Sequence, residues 1–124
     1  AAAAALAGCS PAAAGGPRVV EVTIRHSRFT PAVVDVRRGE EVTFVIRNTD
    51  PIDHEFILGD ERVHLRHEEG DEPHHGAVPG EVSVAIGATA STTYAFTFGR
   101  PLEFACHLPG HYDYGMRGLV RVDR

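Results

Sequence analysis

Apolar and polar positions alternate with a period of two along most of the chain from residue 19 onward, the pattern of strands that bury one face. In segment 19–24, Val20, Val22 and Ile24 fall on one side, and in segment 41–48, Val42, Phe44 and Ile46 do the same. Runs at 32–36, 54–58, 81–86, 92–98, 102–105 and 117–122 complete the set of expected strands. Turn chemistry separates them, notably Arg37-Arg38-Gly39-Glu40, Asn48-Thr49-Asp50-Pro51 and Gly99-Arg100-Pro101. Phe29-Thr30-Pro31 reads as a turn-like entry into the second strand, with Pro31 marking an edge or a strand start. No helical stripe of useful length is present. The prediction is an all-β domain, either a sandwich or a small barrel.

One segment breaks the alternation. Residues 59–80 are polar and carry His64, His67, His74 and His75 among acidic side chains. The segment reads as a loop with room for a helical turn or two, and a loop of that length in a compact domain is functional or mobile. Two readings stand side by side. Charge-rich runs are commonly solvated surface, and short His-rich tracts also bind copper and other transition metals. His26, in a polar turn, reads as solvated.

The start of the chain differs in composition. Ala and other small residues fill positions 1–8, and Leu6-Ala7-Gly8-Cys9 resembles the bacterial lipobox, in which cleavage before the Cys leaves it lipid-modified. The expected organisation is a signal-peptide remnant at 1–8, a flexible Ala/Gly/Pro tether at 9–18 and one folded domain at 19–124. It implies export to the periplasm or another extracytoplasmic space, with lipid at Cys9 as the expected membrane attachment. Of the 124 residues 43% are hydrophobic, which suits one domain with a modest core. The net charge of −5 argues against nucleic acid as a partner. Cys9 and Cys106 lie in dissimilar settings, and no disulfide is expected between them.

The densest chemistry is the run Cys106-His107-Leu108-Pro109-Gly110-His111-Tyr112-Asp113-Tyr114-Gly115-Met116. Four residues separate Cys106 from His111, and four more separate His111 from Met116. Thiolate, imidazole and thioether together suit copper, and two His with one Cys and a weak axial Met is the electron-transfer copper set. The second imidazole is supplied by His54, which follows a turn-rich loop and heads an apolar strand. Zinc rarely uses thioether. A catalytic Cys–His pair has no use for Met116 or for a Pro-Gly turn between thiol and imidazole. A site filled by four protein ligands leaves no place for a substrate, so no enzymatic activity is expected.

These residues resemble the cupredoxins, the small blue-copper proteins. The resemblance rests on Phe29-Thr30-Pro31, Gly39-Glu40-Glu41-Val42-Thr43-Phe44, Asn48-Thr49-Asp50, His54-Glu55-Phe56 and the run from Cys106 to Met116. The late loop is similar in spacing to the rusticyanin-like branch. His54-Glu55-Phe56 with Cys106-His107 and Pro109-Gly110-His111-Tyr112 is similar to cupredoxins of bacterial copper tolerance. The resemblance implies a Greek-key β-sandwich or barrel of about seven to eight strands. It implies one type 1 copper (Cu⁺/Cu²⁺) held by His54, Cys106, His111 and axial Met116. It also implies a monomer that exchanges single electrons with redox proteins docking near His111, at a rim of Leu108, Pro109 and Tyr112. Copper tolerance is the alternative role. His107, directly after the Cys, and Glu55, directly after the first His, depart from the usual electron carriers and bear on the tuning of the site.

Overall fold

A computed structural model describes residues 16–70 and 78–123. Expectations for Cys9, His74 and His75 fall outside them. Nine strands form two sheets among the described residues. The first sheet has the order β2-β1-β4-β7, from Arg28–Thr30, Arg18–Arg25, Glu41–Asn48 and Thr89–Ala95. The second has the order β3-β9-β8-β5-β6, from Val33–Arg37, Arg117–Asp123, Leu102–Ala105, His54–Gly59 and Glu81–Val84. β1 pairs parallel with β4 and β3 parallel with β9, while the remaining pairs are antiparallel. The two sheets pack as a sandwich and do not close into a barrel.

The alternation that predicts the strands also builds the core. Val22, Ile24, Val42, Phe44 and Ile46 are buried from one sheet, and Phe56, Leu58, Phe104 and Val120 from the other. Aromatic rings bridge the layers: Phe44 lies 5.4 Å from Phe56, and Phe29 meets Phe56 and Phe104 edge-on at 5.9 and 5.3 Å.

Three expectations change. Nine strands replace seven to eight, because the turn-like Phe29-Thr30 pairs with β1 as the short strand β2. β7 starts and ends earlier than its hydrophobic run, since its register on β4 sets Ala90, Thr92 and Tyr94 against Ile46, Phe44 and Val42. Third, the polar segment after β5 is not a loop throughout. Glu61–Glu69 is a helix, α1, capped by Asp60, whose side chain accepts the Val63 N–H at 3.2 Å. It buries His64 and His67, three residues apart, and leaves Leu65 52% exposed. A helix whose inward face is imidazole shows no apolar stripe, so periodicity does not reveal it.

α1 packs on β5, a strand whose six residues are all buried. Phe56 and Leu58 enter the core between the sheets, whereas Glu55 points to the opposite side of the strand. No helix among the described residues is long and apolar enough to cross a membrane.

Candidate metal centre

His54 opens β5, Cys106 follows β8, and His111 begins α2, the single turn His111–Tyr114. Met116 lies between α2 and β9. β5 and the loop between β8 and β9, distant in sequence, thus deliver their side chains to one end of the sandwich. One ligating atom each from His54, Cys106 and His111 lies within 4.8 Å of the others. His54 Nδ1 is 3.2 Å from His111 Nδ1, and Cys106 Sγ is 3.3 Å from the same His111 nitrogen. Two nitrogens and one sulfur converge on a point. Met116 is fully buried, and its backbone ties the loop shut: its N–H donates to His111 O at 3.0 Å, and its carbonyl accepts the Cys106 N–H at 3.1 Å.

The loop geometry depends on two glycines. Gly110 and Gly115 flank α2 with φ of 78° and 113°, a region that L side chains avoid. A Cβ on Gly115 would also lie 2.6 Å from the Arg28 guanidinium. With Leu108 O accepting the His111 N–H at 2.9 Å, these turns bring His111 back beside Cys106.

Asp50 orients His54. Its Oδ2 lies 2.8 Å from His54 Nε2, and because a carboxylate only accepts, Nε2 carries the proton and Nδ1 offers a lone pair to the centre. Asp50 is itself fixed by the N–H groups of His26 and Ser27 at 2.6 and 2.8 Å, two residues held at φ of 51° and 52°. Burial pushes the Asp50 carboxyl up, but the Ser27 amide, the His54 ring and the His26 amide more than offset it and hold it below its ordinary 3.8.

Cys106 has no solvent exposure, and burial pushes its thiol up to about 11 despite backbone hydrogen bonds from Leu108 and Glu55. The sulfur is therefore a neutral thiol at pH 7 unless a cation takes the proton's place. Burial, followed by the neighbouring His54, lowers His111, which favours the neutral imidazole that a metal requires. Soft sulfur, two neutral imidazoles and a buried thioether nearby fit copper better than any hard cation.

One side chain in this centre was not singled out from the sequence. Asp50 looked like turn chemistry, and its role appears only when β5 brings His54 beside it. The buried Glu55 carboxylate accepts the His107 N–H at 2.9 Å, which straps the Cys106 loop to β5. An acidic residue four positions before a predicted ligand is the signal that was available for Asp50.

His64 and His67, expected as part of a His-rich loop, lie instead on α1 against His107. His64 Nδ1 is 2.8 Å from His107 Nε2, and His107 Nδ1 is 2.7 Å from Glu68 Oε2. The His67 side chain faces Glu81 at 3.2 Å, and Glu81 also receives Arg66 at 2.6 Å. Tyr112 stacks on His107 at 5.2 Å, lies under the Arg117 guanidinium and donates its hydroxyl to Glu103 at 2.9 Å. Around His111, Leu108 is half-buried and Pro109 is exposed.

Residues 1–103 match the family model described as a cupredoxin-like domain. The chain is 41% identical over 114 residues to the copper-resistant cuproprotein CopI of Rubrivivax gelatinosus, covering 89% of this chain and 69% of that one. It is 32% identical over 142 residues to the copper-resistant cuproprotein CopI of Pseudomonas aeruginosa, with 89% and 78% covered. Among solved structures, reduced auracyanin from Roseiflexus castenholzii superposes with a TM-score of 0.71 at 20% identity, over 89% of this chain and all of that one.

Proposed function

Since the chain belongs to the cupredoxin-like family, we infer that it binds one copper ion as a type 1 centre through His54, Cys106, His111 and axial Met116. The observation that supports this most is the convergence of His54 Nδ1, His111 Nδ1 and Cys106 Sγ within 4.8 Å. Copper bound there offers a one-electron couple, and the residues limit the reorganisation that accompanies it. Asp50 holds His54, the two glycine turns hold His111, and the Glu55 and Leu108 amides hold the thiolate. A rigid set with mixed sulfur and nitrogen donors is tolerable to both Cu⁺ and Cu²⁺. With the protein filling the coordination sphere, the centre reads as a carrier and not as an enzyme.

The role supported by the relatives is copper tolerance, because two of them carry the name copper-resistant cuproprotein. The domain would be residues 19–124, exported and tethered through 9–18, with Cys9 as the lipid attachment. Single-electron exchange with redox proteins is the second reading, favoured by His111 being the less buried of the two imidazoles. Leu108 and Pro109 beside it would form the docking rim of a monomer.

Optical titration tests the centre. Copper-loaded protein is expected to show an intense thiolate-to-copper band in the visible, and Cys106→Ala is expected to lose it entirely. A copper-loaded wild type without that band overturns the type 1 assignment.

A further inference from the structure

We propose that His64 and His107 form a second transition-metal site, joined to the first through the Cys106–His107 peptide bond. The sequence groups His64 with His67, His74 and His75; the fold pairs it with His107. Each ring of this pair already points its outer nitrogen at an oxygen that can only accept. His64 Nε2 lies 2.9 Å from the Glu103 carbonyl, and His107 Nδ1 lies 2.7 Å from Glu68 Oε2. Two neutral imidazoles own one ring proton each, and these two contacts use both. The inner nitrogens, His64 Nδ1 and His107 Nε2, therefore meet at 2.8 Å as two lone pairs. A positive charge between them, a proton or a metal ion, turns this contact from repulsive to attractive.

A metal ion supplies that charge in the arrangement the rest of the molecule uses. In the first centre the outer nitrogen of His54 is anchored to Asp50 and its inner nitrogen faces His111 at 3.2 Å. An imidazole held from behind by a carboxylate or carbonyl is the usual support of a metal-ligating His. The separation also fits: two nitrogens about 2.0 Å from one ion at a right angle are about 2.8 Å apart. Adjacent corners of a tetragonal nitrogen and oxygen site suit Cu²⁺, which also leads the affinity order of divalent first-row metals.

The pair is held in place on several sides. The His107 side chain is 2% exposed, and its ring is stacked between Tyr112 at 5.2 Å and His67 at 6.3 Å, each tilted by 13°. His64 is 8% exposed on α1. Both rings line an open cleft together with Glu68, Glu103, Tyr112 and Asp113. Two protein nitrogens leave further coordination positions for water or a small ligand entering by the cleft. Without sulfur, such a site has no intense visible band, so it is separable from the first by spectroscopy.

The experiment is a Cu²⁺ titration of the full chain, followed by metal analysis, optical spectroscopy and electron paramagnetic resonance. Wild type is expected to bind two coppers, one with the thiolate band and one with a nitrogen/oxygen signature only. His64→Phe is expected to lose the second copper and keep the band, whereas Cys106→Ala keeps the second and loses the band. Glu68→Gln, a change at a side chain 53% exposed, is expected to weaken the second site by about ten- to a hundredfold without touching the first. His74→Ala with His75→Ala is expected to keep both coppers. A single copper in wild type overturns the proposal. So does full second-site affinity in both His64→Phe and Glu68→Gln, or loss of the second copper in the His74/His75 variant. If His64→Phe does not fold, Glu68→Gln decides alone. Failure of the first centre shows separately, as a missing visible band.

Discussion

The two imidazole pairs, His54 with His111 and His64 with His107, are built on one plan and lie on opposite sides of the same strands. In each pair an outer nitrogen is anchored to oxygen and the inner nitrogens face each other across about one ion's width. The difference is sulfur. Cys106 points into the core beside the first pair, and the next residue, His107, points away toward α1. β5 repeats the alternation, with His54 facing the first centre and Glu55 facing the His107 backbone. Period-two geometry at two neighbouring strands thus sends His54 and Cys106 to the inner, sulfur-containing set and Glu55 and His107 to the outer side. The set with sulfur fits a metal that changes oxidation state, and the pair of imidazole nitrogens fits one that arrives as Cu²⁺.

The largest expected contrast between the two pairs comes with pH. Burial pushes the Cys106 thiol up to about 11, so copper entering the first centre displaces a proton throughout the neutral range. The apparent copper affinity of that centre is expected to rise about tenfold per pH unit from pH 6 to 9, near a thousandfold in all, measured by competition with a chelator of known pH dependence. In the metal-free protein the sign reverses for stability: the protonated thiol favours the folded state, and this contribution is lost as pH rises through about 11. A flat affinity profile would mean that the thiol is already ionised and that the burial argument fails.

Asp50 comes next in size. Asp50→Ala leaves the His26 and Ser27 amides and the His54 ring without their acceptor, at a cost of about 1–3 kcal/mol in urea unfolding of the metal-free protein. Copper affinity of the first centre is expected to fall about ten- to a hundredfold, with the second pair unaffected. The folded state holds this carboxyl below its ordinary 3.8, so its stabilisation is present above that pH and is lost as pH falls through the lower, folded value. Asp50→Asn is therefore expected to flatten the acid limb of the stability curve. An equal loss of affinity at both pairs would break the distinction between them.

The smallest effect is expected at Leu65. Its side chain is 52% exposed while His64 and His67 beside it are buried. Leu65→Glu is expected to change stability by no more than about 0.5 kcal/mol, measured by thermal or urea unfolding, because it lies outside the packed face of α1. A loss of several times that size would put the apolar side chain inward and remove the imidazole face from the helix.

Much of the molecule is legible from residues alone. The strand segments follow from alternation such as Val42, Phe44 and Ile46, all with no exposure in the fold. Thiolate, imidazole and thioether at even spacing point to copper chemistry on their own, since donor softness is a property of residue type. His54 is recognisable too, as an imidazole at the head of an apolar strand.

Other features exist only in three dimensions. Helix α1 carries its buried face in His64 and His67, and imidazole does not register as an apolar stripe. Asp50 becomes the partner of His54, and Glu55 the strap of the Cys106 loop, through contacts that β5 and its neighbours create. His107 is adjacent to a ligand in sequence, yet its partner is His64, 43 residues earlier. Which side chains can hold a metal is written in residue chemistry. Which of them meet, and which nitrogen of each ring is left free, depends on long-range packing and hydrogen bonds that no local pattern encodes.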